Sequence, residues 1–117
     1  MSDEGRKARV KTKVTFGEDA IGDGKLQLLL QVQRTGSISA AAKAQGMGFR
    51  RAWHLLDSLQ NLFDEPVLIT ERGGAKAGGT KLTNFGLQLL ERYSEHQVAV
   101  QAASAPFMQW LAENAKS

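Results

Sequence analysis

The chain has 117 residues, with 15 Lys and Arg against 12 Asp and Glu and a net charge of +3. That length supports one domain with a real core plus an arm or tail. So mild a charge excess does not itself argue for nucleic acid; the positions of the charges must do that. There is no cysteine, which excludes disulfides, thiolate catalysis and Cys-type zinc sites and suits a reducing compartment.

The opening MSDEGRKARVK is polar and has no apolar h-region, so no secretory signal is expected. No apolar run approaches membrane-spanning length, and the expectation is a soluble cytoplasmic protein with no membrane partner. Residues 1–9 predict a flexible basic arm carrying Arg6, Lys7 and Arg9, with Lys11 and Lys13 just beyond. From Val10 to Phe16 the pattern alternates: Val10, Thr12, Val14 and Phe16 share one face, which predicts a short half-buried strand. Gly17, Gly22 and Gly24 then break the chain. A helix is expected from about Asp23 to Arg34, buried on more than one face by Leu26, Leu28, Leu29, Leu30 and Val32. Gly22-x-Gly24 is no dinucleotide fingerprint, because Gln27 stands where the third glycine belongs.

Thr35-Gly36 ends that helix and leads into GSISAAAKAQGMGFRRAWHLLDSLQNLF, Gly36 to Phe63. This reads as a helix-turn-helix. Ser37 or Ser39 caps the first helix. Ala41 and Ala42 are small enough for a close crossing, Gly46 supplies the positive φ of the turn, and Met47 plugs the angle. In the second helix Phe49, Ala52, Trp53, Leu56 and Leu59 form the inward stripe, with Ala52 and Leu55 facing the first helix. Arg50, Arg51, His54, Ser58 and Asn61 form the outward one. An ordinary helical hairpin is the competing reading. Arginines on the outward stripe and a basic loop downstream favour DNA binding.

Asp64-Glu65-Pro66 stops the helix, and Val67 to Thr70 is apolar and β-branched, hence a strand. The stretch Glu71 to Thr80 holds four glycines and leads to a returning strand at Lys81-Leu82. Strand, glycine-rich loop and strand predict the wing of a winged helix, with Arg72, Lys76 and Lys81 as its charge. A P-loop is rejected, because Lys does not follow the last glycine. Thr83 is placed as the N-cap of a long helix from Asn84 to about Ala103, with Leu82 and Leu87 closing a hydrophobic staple. That helix is longer than one small domain needs and is expected to expose an apolar stripe. Ser104-Ala105-Pro106 then restarts a short helix bearing Phe107, Met108, Trp110 and Leu111, read as packing on a partner subunit.

With Gly36-Ser37-Ile38-Ser39, Ala42-Lys43, Gly46, Ala52-Trp53, the wing Glu71-Arg72 with its paired glycines, Leu82-Thr83 and Gly86 in hand, the stretch from Leu26 to Tyr93 resembles the N-terminal DNA-binding domain of ModE-type molybdate-responsive transcriptional regulators. LysR-type regulators share the winged plan and the Leu-Thr-x-x-Gly entry to the last helix. They usually lack the glycine-rich wing and the Ala-Trp pair, so they come second. The resemblance implies a homodimer held by the first and last helices, a palindromic operator near molybdate-uptake or molybdoenzyme genes, and a repressor. Full-length members carry C-terminal molybdate-binding domains for which 117 residues leave no room, so no cofactor is expected in this chain.

The expected fold is mainly α with a small β component: a winged helix-turn-helix over residues 10–82, and residues 83–117 as a long C-terminal dimerisation helix with a short terminal one. The expected DNA contacts are Arg50, Arg51, His54 and Ser58 in the major groove and Ser37, Ser39, Lys43, Arg72, Lys76 and Lys81 on phosphates. The expected dimer interface is Leu26, Leu29, Leu87, Leu90, Tyr93, Phe107 and Trp110. Trp53 reads as core rather than wedge. His54 and His96 are isolated from each other, so no metal site is expected, and no nucleophile–base pairing supports an enzyme. A winged helix serving protein–protein contact remains the non-enzymatic alternative.

Overall fold

A computed structural model describes residues 8–71 and 79–116. The described elements run in the order β1 (Lys13–Phe16), β2 (Asp19–Gly22), α1 (Asp23–Thr35), α2 (Ile38–Ala44), α3 (Phe49–Gln60), β3 (Leu68–Thr70), β4 (Thr80–Leu82) and α4 (Asn84–Asn114). Helices dominate and both sheets are two-stranded antiparallel hairpins, the mainly α winged architecture expected.

α1 is the centre. Leu26, Leu28, Leu29 and Val32 are enclosed by Ala41 and Ala42 of α2, by Ala52, Leu56 and Leu59 of α3, and by Val67 before β3. The α1–α2–α3 turns follow from local chemistry. Gly36 closes α1 at φ 73, its N–H donating to the Val32 carbonyl at 2.8 Å. Ser37 caps α2 by accepting from the Ala40 N–H at 3.1 Å. Gly46 adopts φ 67, and Ala41 and Ala42 let the helices cross closely.

At the start of α4, Thr83 Oγ1 accepts from the Gly86 N–H at 3.0 Å and donates to the Pro66 carbonyl at 2.6 Å. The cap thus also pins the helix to the chain entering β3. A Cβ on Gly86 would collide with the Val67 carbonyl, so only glycine permits this approach.

Several expectations need correction. Val14 and Phe16 of β1 are half exposed, and in the hairpin of β1 with β2 it is Ile21 of β2 that packs against the helical core. β2 itself was not anticipated: Asp19-Ala20-Ile21-Gly22 shows no β-branched alternation. Phe49 and Trp53 are 53% and 46% exposed. The inward face of α3 centres on Ala52, Leu56 and Leu59, which leaves those two rings on its edge. Leu87 keeps 41% of its surface in solvent, while Leu82 turns into the core.

Pro106 lies inside α4 and does not end it. Proline removes one N–H and crowds the carbonyl four residues back. That residue, Ala102, is exposed, so water can take the freed acceptor.

Candidate nucleic-acid interface

α3 begins at Gly48 without a side-chain cap, and its first two turns present Arg50, Arg51 and His54 to solvent. Arg50, Arg51, His54 and Leu55 surround a shallow depression of about 460 Å³ with an apolar floor. Among the described residues neither guanidinium has a carboxylate partner; the ion pairs there are Lys81–Glu71 at 3.3 Å and Arg92–Glu95 at 3.5 Å. An unpaired Arg keeps its full fork of donors for an incoming acceptor.

Ser58 sits differently from the expectation. It is half-buried, and its hydroxyl donates to the Leu55 carbonyl of its own helix at 2.9 Å, which leaves lone pairs but no proton for a base. His54 stands edge-on to Trp53, ring centroids 5.6 Å apart.

The residues expected on phosphates divide by element. Ser37 uses its oxygen as the α2 cap and keeps its proton, while Ser39 and Lys43 are exposed on α2. Lys81 is on β4, opposite Ile69, and its exposed pair with Glu71 is of the kind worth only about 0.2–1 kcal/mol, weak enough for a phosphate to displace. Arg72 and Lys76 lie outside the described residues. The root of the wing is fixed to the helix-turn-helix: the Thr80 N–H donates to the Gly36 carbonyl at 2.9 Å, and a Cβ on Gly79 would stand 2.8 Å from that oxygen. The wing therefore starts beside the N-terminus of α2, where Ser37 lies.

The second group of expected contacts is split by burial. Leu26 and Leu29 are 1% and 0% exposed within their own chain. They have no surface to offer a partner, because α1 is the centre of the core rather than its edge. Leu87, Phe107 and Trp110 are exposed, and Leu90 and Tyr93 are half-buried against the core. Tyr93 donates to Asp23 Oδ1 at 2.8 Å. Burial first, then the bond to Asp23 and its charge, holds the phenol well above its ordinary pKa.

Val98 of the long helix is 70% exposed, in keeping with the exposed apolar stripe expected there. Its eleven-residue spacing from Leu87, three helical turns, places the two on one flank. Phe107 and Trp110 stack at 6.5 Å on another flank of α4. The segment Ala8–Lys11 lines a depression of about 270 Å³ with Asp23, Gln97, Gln101 and Met108. Part of the expected arm thus lies along α4.

Among the described residues no group of three or more His, Asp or Glu could hold a metal, and no helix is long and apolar enough to cross a membrane.

Three helices followed by a two-stranded wing make this chain a winged helix-turn-helix protein. Solved structures show the same fold: a LysR family transcriptional regulator superposes over 80% of this chain and 30% of its own at a TM-score of 0.58 and 19% identity. The CbnR_DBD-DNA complex covers 76% of this chain and 95% of its own at 0.56 and 20%. In sequence the chain is similar to ModE-type regulators, as Gly36 to Gly86 led one to expect. It is 34% identical over 84 residues to the molybdenum transport protein ModE of Azotobacter vinelandii, covering 72% of this chain and 31% of that one. It is 34% identical over 105 residues to the molybdenum-pterin-binding protein MopB of Rhodobacter capsulatus, covering 90% and 38%. With the transcriptional regulator ModE of Yersinia pestis the figures are 36% over 69 residues, 59% and 26%. The chain thus spans between a quarter and two-fifths of the length of these relatives. No protein-family model matches it.

Proposed function

We propose that this chain is a sequence-specific DNA-binding transcriptional regulator of ModE type, acting in the cytoplasm as a homodimer on a palindromic operator and repressing from it. The observation that carries the reading is the pair of solvent-facing guanidiniums, Arg50 and Arg51, on the outer side of the second helix of the motif. The planar fork of arginine matches the two acceptors on the major-groove edge of guanine. Ser37, Ser39, Lys43 and Lys81, with Arg72 and Lys76 of the wing loop, supply phosphate contacts that fix register without reading sequence. The exposed Leu87, Val98, Phe107 and Trp110 of α4 supply the dimer contact. The relatives named as transcriptional regulators support this reading over a protein–protein module, and it requires no catalytic step.

Selecting bound sites from random duplexes tests the proposal. A consensus with two inverted half-sites is expected, with affinity falling steeply as salt rises. Arg51→Ala is expected to cost about 1–3 kcal/mol and relax one operator position. Recovery of no preferred sequence would end the proposal.

A further inference from the structure

Along α3 the positions 49, 53, 56 and 60 share one flank. Its C-terminal half is used within the chain: Leu56 is in the core, and Gln60 Oε1 accepts from the Val67 N–H at 2.6 Å, holding the approach to β3. Its N-terminal half is not covered. Phe49 and Trp53 keep about half their surface in solvent, beside residues that face outward for charge reasons. The Trp53 ring is held nearly perpendicular to that of His54, at 80°, so an apolar plane adjoins the polar stripe of the helix.

An occupant for this flank must be anionic, to meet the Arg50 guanidinium that adjoins it and has no carboxylate partner among the described residues, and must carry an apolar group beside its hydrogen-bond acceptors. The major groove of duplex DNA meets both demands. Thymine is the base with an apolar group there, its 5-methyl, and the N-terminal part of a recognition helix is the part that reaches base edges. Arg50 and Trp53 are separated by three residues, about 4.5 Å of helix rise, a little more than the ~3.4 Å step of a base pair.

Resting on the DNA-binding reading above, we infer that Trp53, flanked by Phe49, is a specificity-determining residue that packs on a thymine methyl. This fixes a thymine within about two base pairs of the guanine read by arginine in each half-site.

The experiment takes the operator selected as described and replaces its thymines one at a time with deoxyuridine, which deletes the methyl alone. One position per half-site is expected to lose about three- to fourfold in affinity, the equivalent of one buried methyl. With Trp53→Ala the same replacement is expected to cost nothing, while the salt dependence is retained. Should that variant fail to fold, Trp53→Gln carries the same comparison. A selected site without a fixed thymine, an operator indifferent to every replacement, or equal sensitivity in wild type and variant would overturn the inference and leave the DNA-binding reading standing. Absence of any sequence preference would overturn both.

Discussion

α1 spans 13 residues and encloses Leu26, Leu28, Leu29 and Val32, whereas α4 spans 31 and encloses only Gly86. Both carry apolar residues at helical spacing, so pattern alone makes them equals. The difference is what surrounds them. α1 is wrapped by α2, α3 and the wing root, and its side chains have no freedom left. α4 is anchored to the helical core over its first turns, through Thr83, Gly86, Phe85 and Tyr93, and then runs past the end of the core with the segment Ala8–Lys11 along one side. Its remaining length, within a total of about 46 Å at ~1.5 Å per residue, keeps Val98, Phe107 and Trp110 in water. The fold therefore stabilises itself through α1 and leaves α4 available to something else.

The sharpest way to break that contrast is to truncate one residue in each helix. Leu29→Ala is expected to lower the unfolding free energy by about 2–5 kcal/mol, since it opens a cavity in a close-packed centre. Val98→Ala is expected to change it by no more than about 0.5 kcal/mol. Denaturant titration at a concentration low enough to keep the protein monomeric separates the two. Comparable losses would mean that α4 is integral to the core after all.

The availability of α4 is tested by assembly. If the stacked Phe107–Trp110 pair is a dimer anchor, Trp110→Ala is expected to weaken self-association by about 2 kcal/mol or more, roughly thirtyfold. Sedimentation over a concentration series would show it, with monomer stability unchanged. Phe107 and Trp110 do not share a flank with Leu87 and Val98. Val98→Asp is therefore expected to give a separate and smaller loss if two patches are used.

The anchor itself gives an intermediate effect. Gly86→Ala pushes a methyl against the Val67 carbonyl and is expected to destabilise by about 1–3 kcal/mol, despite the better helix propensity of alanine. A neutral result in a thermal melt would show that the root of α4 can shift away from β3.

How much of this was legible in the sequence depends on how local the cause was. Gly36, Ser37, Gly46 and Thr83 act within a turn of themselves, and each does in the structure what its chemistry dictates. The outward placement of Arg50, Arg51 and His54 was legible for the same reason: the charge of the arginines and the polar ring of the histidine exclude them from a packed face. Phe49 and Trp53 were not. Periodicity assigns them to the stripe of Leu56 but cannot say where along its width the core ends. Leu26 and Leu29 were assigned to an interface on the resemblance, which implies a dimer held by the first and last helices, and the pattern does not show which helix sits in the middle. The bond from Ser58 to its own helix and the tolerance of Pro106 both depend on solvent access, which spacing does not encode. β2 was missed although Gly17-Glu18 is a two-residue turn with glycine first, at φ 60, a hairpin signal that outweighs its poor strand composition.

The smallest expected effect concerns a side-chain bond that ties α4 to α1, Tyr93 to Asp23. Removing it in Tyr93→Phe is expected to cost about 1 kcal/mol near neutral pH. The pH dependence is more telling than the magnitude. The phenol has its pKa raised in the folded chain, by burial first and by Asp23 second. A raised pKa means the folded state holds its proton longer than the unfolded one, whose tyrosine titrates near about 10. The resulting stabilisation is complete below that value and is lost as pH rises through the folded-state pKa. Wild type should therefore lose stability as pH climbs past 10, and Tyr93→Phe should lose less. Melting curves between pH 8 and 11, run on both proteins, check this: parallel alkaline limbs would mean that Tyr93 ionises as freely in the folded chain as outside it, and that α4 is held to α1 by apolar contact alone.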